Sequence, residues 1–183
     1  FLPTAEPGGV GGFAIQLAKY LGLTVITTCS GGNFDAVRAL GADYPVDYKK
    51  GDVTSKIREV TDGRGVDIAI NTISSESATD DLDRLAFGGH LACVDGLPDF
   101  SKIVPFTKAI SIHESALGGA HLSGDVQAQK DLAAMGREMM GLLKQKCITS
   151  MLTEVISMSE IPTALTKLSH RHVRGKIVAA ICR

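Results

Sequence analysis

The sequence lacks the features that mark membrane, secreted and nucleic-acid-binding proteins. No apolar run approaches the roughly 20 residues that a bilayer-spanning helix needs. The first residues, Phe1 to Ala5, show neither the basic stretch nor the long apolar run of a signal peptide. The formal net charge of −1 gives no electrostatic footprint for nucleic acid or an anionic membrane. We therefore expect a cytoplasmic protein with no nucleic-acid partner and no membrane partner.

Residue patterns of metal sites and of common catalytic centres are also missing. The four cysteines form no C-x-x-C pair, and the five histidines show no H-E-x-x-H spacing. Ser74, Ser75 and Ser77 do not lie in a G-x-S-x-G turn, and neither Tyr44 nor Tyr48 is followed by a lysine four residues later. We predict no metal site in this chain, and its catalytic residues stay unknown.

The chain has the composition of an ordinary globular protein and an alternating pattern of strands and helices. Of its 183 residues, 44% are hydrophobic and 21% are charged, which suits one domain with a small appendage. The predicted strands before residue 100 are residues 24–28, 44–46, 66–70 and 90–94, and the predicted helices are 13–21, short helices after Asn33 and Asp52, and 77–87. This rhythm predicts an α/β fold of three layers, a Rossmann-type doubly wound parallel sheet.

The pattern changes after Asp95. Residues 110–117 predict another strand, and 125–146 predict the longest helix, in which Met135 and Met139 are expected to fill the core. A tail follows with a strand at 152–156, a helix at 159–169 and a strand at 176–181. We therefore divide the chain into a Rossmann domain, residues 1–150, and a C-terminal strand-helix-strand tail, residues 151–183.

A glycine-rich turn, Gly8-Gly9-Val10-Gly11-Gly12, leads directly into the first amphipathic helix. Unpaired backbone N–H groups and the dipole at a helix N-terminus favour the pyrophosphate of a dinucleotide, and glycines let it come close. The spacing reads A-x-x-G-x-x-G from Ala5, because Glu6 stands where G-x-G-x-x-G has its first glycine. Pro3 disturbs the first strand, which either starts after Pro3 or is only partly contained in the chain.

The end of the second strand indicates which dinucleotide binds. An acidic residue there hydrogen-bonds the ribose 2′-hydroxyl of NAD and repels a 2′-phosphate. Residues 28–33 are small or polar and uncharged, and the first acidic residue, Asp35, is expected inside the next helix. This stretch favours NADP(H), although it contains no Arg or Lys, and it disfavours a methyltransferase.

Several segments, taken in order, resemble the medium-chain dehydrogenase/reductase superfamily, on the side of the zinc-independent quinone oxidoreductases and enoyl reductases. The matching segments are residues 8–19, Ala39-Leu40-Gly41-Ala42-Asp43, Val46-Asp47-Tyr48, Gly63-Arg64-Gly65-Val66-Asp67 and Gly175-Lys176-Ile177-Val178. Residues 28–30 and 33–35 are similar to NADPH-dependent members. The resemblance implies a cofactor domain whose parent enzyme transfers a hydride from NADPH to a carbonyl, a quinone or a conjugated alkene.

The resemblance also implies which residues line the cofactor. The glycine turn would hold the pyrophosphate, the end of the second strand the 2′-phosphate, and the ends of the fourth and later strands the nicotinamide half. The implied residues are Gly8, Gly9, Val10 and Gly11 for the pyrophosphate, Ser30 and Asn33 for the 2′-phosphate, Tyr48 for the adenosine end, Asn71, Thr72 and Ile73 for the ribose and nicotinamide, and Gly96, Leu97, Leu117 and Gly118 for the nicotinamide side.

Members of the superfamily also have a separate N-terminal catalytic domain, which this sequence does not contain. The tail would pack with that domain, and the isolated fragment is expected to turn over little substrate. The strand at 110–117 would lie at the sheet edge, where it would pair across a homodimer. Two other functions stay open: a zinc-dependent alcohol dehydrogenase whose ligands lie upstream, and a non-catalytic NADP(H)-binding module.

Overall fold

The core of the protein, seen in a computed structural model that describes residues 1–4, 8–170, 173 and 175–181, is a parallel six-stranded sheet. Its strands are β1 (Leu2–Thr4), β2 (Ile26–Cys29), β3 (Tyr44–Asp47), β4 (Val66–Asn71), β5 (Leu85–Cys93) and β6 (Ser111–Glu114). Their order across the sheet is β3-β2-β1-β4-β5-β6. The direction of winding therefore reverses between β1 and β4, and the predicted doubly wound Rossmann-type sheet is confirmed.

Helices cover the sheet, and a second pair of strands follows it. The helices are α1 (Gly9–Tyr20), α2 (Phe34–Ala39), α3 (Val53–Val60), α4 (Ser75–Arg84), α5 (Leu117–Leu122), α6 (Val126–Lys144) and α7 (Ile161–Ser169). One apolar cluster joins the sheet to α1 and α2 through Ile15 and Val37, and another joins it to α3 and α4 through Ile57 and Leu82. Parallel strands β7 (Leu152–Ser157) and β8 (Lys176–Ala180) flank α7, as predicted for the tail.

Pro3 lies inside β1, so the first of the two alternatives, a strand that starts after Pro3, is wrong. Pro3 is in register with Ile70 of β4, and Thr4 is in register with Asn71. A proline cannot donate a backbone hydrogen bond to a neighbouring strand. The hydroxyl of Thr27 donates to the Pro3 carbonyl over 3.1 Å, and this contact helps to hold the strand in the centre of the sheet.

Three predicted boundaries are corrected by the structure. Helix α1 begins at Gly9 instead of Phe13, so most of the glycine turn forms the first turn of the helix. Residues 85–87 belong to β5 instead of the preceding helix, because Leu85 is in register with Val66 before an irregularity that contains Gly88 at φ +74°. The predicted strand 110–117 ends at Glu114, and Leu117 opens α5.

Helix α6 does not enter the core, so the expectation that its methionines fill the core is wrong. None of its residues is buried, and Met135 is 52% exposed. The helix packs mainly against the short helix α5, whose Leu122 is 91% exposed. Apolar area is therefore uncovered in the C-terminal third of the chain, whereas the six-stranded sheet is well packed.

Candidate functional site

The carboxyl ends of β1 and β4 lie side by side where the winding of the sheet reverses. Ligands of open α/β sheets bind in the crevice at this topological switch point. The residues implied as cofactor contacts follow the strands of this sheet, so they gather at its carboxyl edge. The structure brings them together in three groups: the start of α1, the loops after β2 and β3, and the loops after β4, β5 and β6.

The first group is the start of α1. Gly8 is the N-cap residue, with φ −108° and ψ 168°, and it gives the helix no side-chain cap. Gly9, Val10 and Gly11 form the first turn, where N–H groups have no partner within the helix. Val10 is 51% exposed. Glu6 and Pro7, which depart from the family pattern, lie outside the described residues.

A lysine from the end of the chain reaches this turn. A Cβ atom placed on Gly9 would lie 2.9 Å from the Lys176 Nζ atom, so the ammonium group stands against the first turn of α1. The positive charge of Lys176 adds to the positive end of the helix dipole, and both favour an anionic group here. No local spacing connects Lys176 with Gly9, so the sequence indicates Lys176 only as part of a matching segment and not as a residue of the site.

Contacts between α1 and the segment before β7 fix the place of that lysine. The Gln16 amide donates to the Thr149 carbonyl over 3.3 Å and accepts from the Thr149 N–H over 2.7 Å. The Met151 side chain lies over Gly12, where a Cβ atom would collide with its sulfur. The Lys176 N–H donates to the Met151 carbonyl over 2.8 Å. The start of α1 and the start of β8 therefore form one packed unit.

The second group follows β2 and β3. The Asn33 amide donates to the Ser30 hydroxyl over 3.1 Å across a single 3₁₀ turn, Gly31–Asn33. Asn33 precedes α2 as expected for a cap, but its side chain makes no capping hydrogen bond to that helix. Tyr48 is 46% exposed, and the Lys49 Nζ atom lies 5.8 Å from the centre of its ring. Polar and aromatic side chains therefore stand at two neighbouring strand ends.

The third group begins with Asn71, the last residue of β4. Its side chain points into the protein. Asn71 is 1% exposed, and its amide donates to Asp81 over 2.7 Å and to Ser77 over 2.9 Å. Its carbonyl oxygen accepts from the Ile73 N–H over 3.0 Å. The hydroxyl of Thr72 donates to the Thr4 carbonyl over 3.2 Å, while Ile73 is 52% exposed. The Asn71 side chain therefore shapes this loop, and Ile73 is the part of it that faces outward.

Asp81 of α4 is a site-forming residue that sequence reasoning missed. Its side chain is fully buried and accepts from Thr4 over 3.2 Å and from Arg84 over 2.8 Å, in addition to Asn71. Burial raises the pKa of Asp81, and the hydrogen bonds from Asn71, Arg84 and Thr4 only partly oppose that effect. Nothing in the sequence separates this aspartate from the exposed Asp80 beside it.

The remaining implied residues follow β5 and β6. A Cβ atom on Gly96 would lie 2.7 Å from the Ser75 N atom, so the loop after β5 passes against the start of α4. Leu97 is 37% exposed and Leu117 is 62% exposed. The loop after β6 is held beside β5, because the Ser115 N–H donates to the Cys93 carbonyl over 2.9 Å. Gly118 has open space around it.

Neither a metal centre nor a membrane span is found in the part of the chain that the structure describes. Among these residues, no three side chains of His, Cys, Asp or Glu are placed to hold a metal ion. Within the same residues, no helix is both long and apolar enough to cross a bilayer.

Known proteins resemble this chain over nearly its whole length. A family model described as zinc-binding dehydrogenase matches residues 9–139. A probable mitochondrial zinc-binding oxidoreductase of Arthroderma benhamiae is 30% identical over 179 residues, covering 97% of this chain and 50% of that protein. A mitochondrial NAD(P)H oxidoreductase of Danio rerio is 28% identical over 186 residues, covering 95% and 47%. The solved structure of the CurK enoyl reductase matches with a TM-score of 0.81 at 21% identity, covering 99% and 54%. This chain therefore spans about half the length of these relatives.

Proposed function

The chain belongs to the zinc-binding dehydrogenase family of the medium-chain dehydrogenase/reductase superfamily, and from this membership we propose that it is the cofactor-binding part of an NADPH-dependent oxidoreductase. The bound nicotinamide would supply the hydride for reduction of a carbonyl, a quinone or a conjugated alkene. The chain's own residues bind and orient the cofactor. The two relatives described above, both oxidoreductases, support this class of reaction.

The observation that carries the proposal is the anion site at the start of α1. Three features coincide there: first-turn N–H groups without a side-chain cap, glycines that leave room for a ligand, and the Lys176 ammonium beside Gly9. A helix N-terminus of this kind binds phosphate groups. We place the pyrophosphate there, with the adenosine end toward Ser30 and the nicotinamide end toward Gly96.

The choice of NADP(H) over NAD(H) rests on the loop after β2. Its Ser30 and Asn33 side chains are hydrogen-bonded to each other and offer polar groups to a 2′-phosphate. Two basic side chains are close by in the chain: Arg38, which lies 5.6 Å from the Phe34 ring centre, and Lys49, which lies over Tyr48. These charges support a bound 2′-phosphate, which a NAD-type acid at the end of β2 would repel.

Thermal unfolding of this chain with NADPH and with NADH tests the proposal. A ligand at 100 times its dissociation constant adds about 2.7 kcal/mol to the free energy of unfolding. We expect a clear rise in melting temperature with NADPH and a smaller one with NADH at equal concentration. No rise with either cofactor would refute the binding function, and a larger rise with NADH would reverse the choice of cofactor.

We also propose that residues 151–183 pack against a further domain of the full-length protein. The relatives are about twice as long as this chain, and the α6 and tail surfaces carry exposed apolar side chains such as Met140, Val155 and Leu165. The fragment alone would then bind cofactor and turn over little substrate. A cytoplasmic location of the full-length protein is a separate proposal, which rests on the sequence alone. Comparing the activity of this chain with that of the full-length protein at equal concentrations would test the inactivity of the fragment.

A homodimer through β6 belongs to the same proposal. Among the described residues, β6 lies at the sheet edge with β5 as its neighbour, and an edge strand offers unpaired backbone groups to another chain. We expect sedimentation velocity to show a dimer for the wild type. The variant Ile112→Pro, which interrupts β6, should sediment as a monomer. A monomer at micromolar concentration would contradict the homodimer.

A zinc-dependent alcohol dehydrogenase is the second candidate, favoured by the descriptions of the family and of the fungal relative. The described residues do not supply a ligand set for zinc, so the ligands of such an enzyme would lie outside them. Metal analysis of the purified full-length protein separates the two candidates: one tightly bound zinc per chain would favour the dehydrogenase.

A further inference from the structure

Asp47, the last residue of β3, brings a carboxylate to the end of β2. Cys29 and Asp47 are in register at the carboxyl ends of these two parallel strands. The Lys49 N–H donates to Asp47 Oδ1 over 2.9 Å and so fixes the direction of the carboxylate. The other oxygen lies against Gly31, where a Cβ atom would be 2.7 Å from Oδ2. The fold therefore supplies, from the neighbouring strand, an acid that β2 does not have.

This position faces the part of the site that distinguishes the two nicotinamide cofactors. Gly31 stands between Ser30 and Asn33, the residues that we assign to the 2′-phosphate. A carboxylate at such a place accepts a hydrogen bond from a ribose 2′-hydroxyl and repels a 2′-phosphate. Because Gly31 has no side chain, the Asp47 carboxylate can lie close to the backbone at position 31, and a Cβ atom there would require the carboxylate to shift.

We propose that Asp47 is a specificity-determining residue that limits the preference of this chain for NADPH over NADH. The inference rests on the proposed cofactor function and adds the residue that tunes it. Lys49 and Lys50 follow Asp47 closely in the chain and contribute positive charge beside it, while Asp47 contributes negative charge. The site is consequently one of opposed charges, and removing the negative one shifts the balance toward the phosphorylated cofactor.

The test compares dissociation constants of NADPH and NADH, measured by titration calorimetry on the full chain, for the wild type and Asp47→Asn. Asparagine keeps the oxygen that accepts from Lys49 and removes the charge. Two like charges separated by one ribose repel measurably in water, so we expect NADPH to bind about fivefold to tenfold more tightly. NADH should bind equally well or more weakly, because the amide is a poorer acceptor for the 2′-hydroxyl.

Asp35→Asn is the matched control, because it removes an exposed carboxylate from the first turn of α2 in the same region. It should change both dissociation constants less than twofold. Equal changes for both cofactors in Asp47→Asn, or an unchanged ratio, would overturn the role of Asp47 while cofactor binding stands. A wild type that binds neither cofactor would overturn the proposed function and the role of Asp47 together.

Discussion

Asn71 and Asp81 are joined by a hydrogen bond of 2.7 Å from the Asn71 amide to the Asp81 carboxylate. The same carboxylate accepts from Thr4, so one buried group ties together the last residues of β1 and β4. The Arg84 guanidinium donates to the Asp81 carboxylate over 2.8 Å and balances its charge. The same guanidinium donates to the Thr54 hydroxyl of α3 over 3.1 Å. The two strand ends that bound the proposed cofactor crevice are therefore held in register by side chains as well as by the sheet.

Replacing Asp81 with alanine should destabilise the protein strongly. The substitution leaves the Arg84 guanidinium, which is largely buried, without its close partner. Removing one partner of a buried ion pair costs about 3–5 kcal/mol. Chemical denaturation of the variant measures the loss. Asp80→Ala is the control, because Asp80 is 63% exposed and lies 3.8 Å from Arg84; it should cost less than about 1 kcal/mol. Equal losses in the two variants would contradict the role given to Asp81.

Replacing Lys176 with methionine should weaken cofactor binding and leave the fold intact. The variant removes the ammonium group beside Gly9 and keeps much of the apolar stem. A hydrogen bond to a charged group contributes about 1.5–3 kcal/mol, so the NADPH dissociation constant should rise roughly 10-fold to 100-fold. Titration calorimetry at two salt concentrations measures it, and the salt dependence should fall as well.

Lys167→Met provides the comparison for that experiment. Lys167 also belongs to the tail, where it pairs with Glu154 over 2.6 Å. Its removal should leave the NADPH affinity within twofold of the wild type. The anion site would lose its support if Lys167→Met weakened binding as much as Lys176→Met does.

Alanine should have opposite effects at two implied site glycines. At Gly96 the added methyl group meets the backbone of Ser75, and overpacking of this kind costs about 1–3 kcal/mol. At Gly118 nothing lies within 4 Å, and alanine in a helix is about 0.5–1 kcal/mol better than glycine. Thermal unfolding of the two single variants checks the signs. A stabilised Gly96→Ala protein would show that there is room between the loop after β5 and the start of α4.

Acid should weaken the link between α1 and the start of β3. Burial opposes ionisation of Asp43, but the Val25 N–H and the Lys19 ammonium outweigh it and lower the pKa of Asp43. A carboxyl whose pKa is lower when folded stabilises the protein above its unfolded pKa, near 3.8, and this stabilisation disappears as the pH falls through the folded pKa. Asp43→Asn should therefore cost up to about 1 kcal/mol at pH 7 and almost nothing near pH 2. A difference that grows on acidification would contradict this assignment.

Sequence patterns predict the elements of this protein better than their ends. β-branched runs and caps such as Asp52, which accepts from the Thr54 N–H over 2.9 Å, act locally and are visible in the sequence. The boundary between α4 and β5 is set by pairing of Leu85 with Val66. That pairing depends on a strand outside the local sequence. Helical spacing alone therefore extended the predicted helix to residue 87, although α4 ends at Arg84. Residues distant in sequence also explain why a proline is tolerated at position 3. Ile70 of β4 is in register with Pro3, and the Thr27 hydroxyl of β2 donates to its carbonyl.

The candidate site likewise contains residues that the sequence predicts and residues that it does not. The glycine turn and the uncharged residues 28–33 are visible because they are contiguous. Lys176 and Asp47 approach the crevice from other elements, and Asp81 supports it from inside the protein through Asn71. The places of all three depend on tertiary packing. For Asp47 the consequence is largest, since an argument from the end of β2 alone overlooks an acid that the adjacent strand places there.

The contact between Lys176 and Gly9 also bears on biosynthesis. Lys176 follows Gly9 by 167 positions along the chain, so the ribosome completes α1 long before it makes the lysine. A ligand stabilises only a state that contains its whole site. NADPH would then give little assistance to the nascent sheet and would stabilise this part of the protein fully only after β8 has been made. Before β8 is made, the packing of the six-stranded sheet with its helices has to hold α1 in place without help from the cofactor.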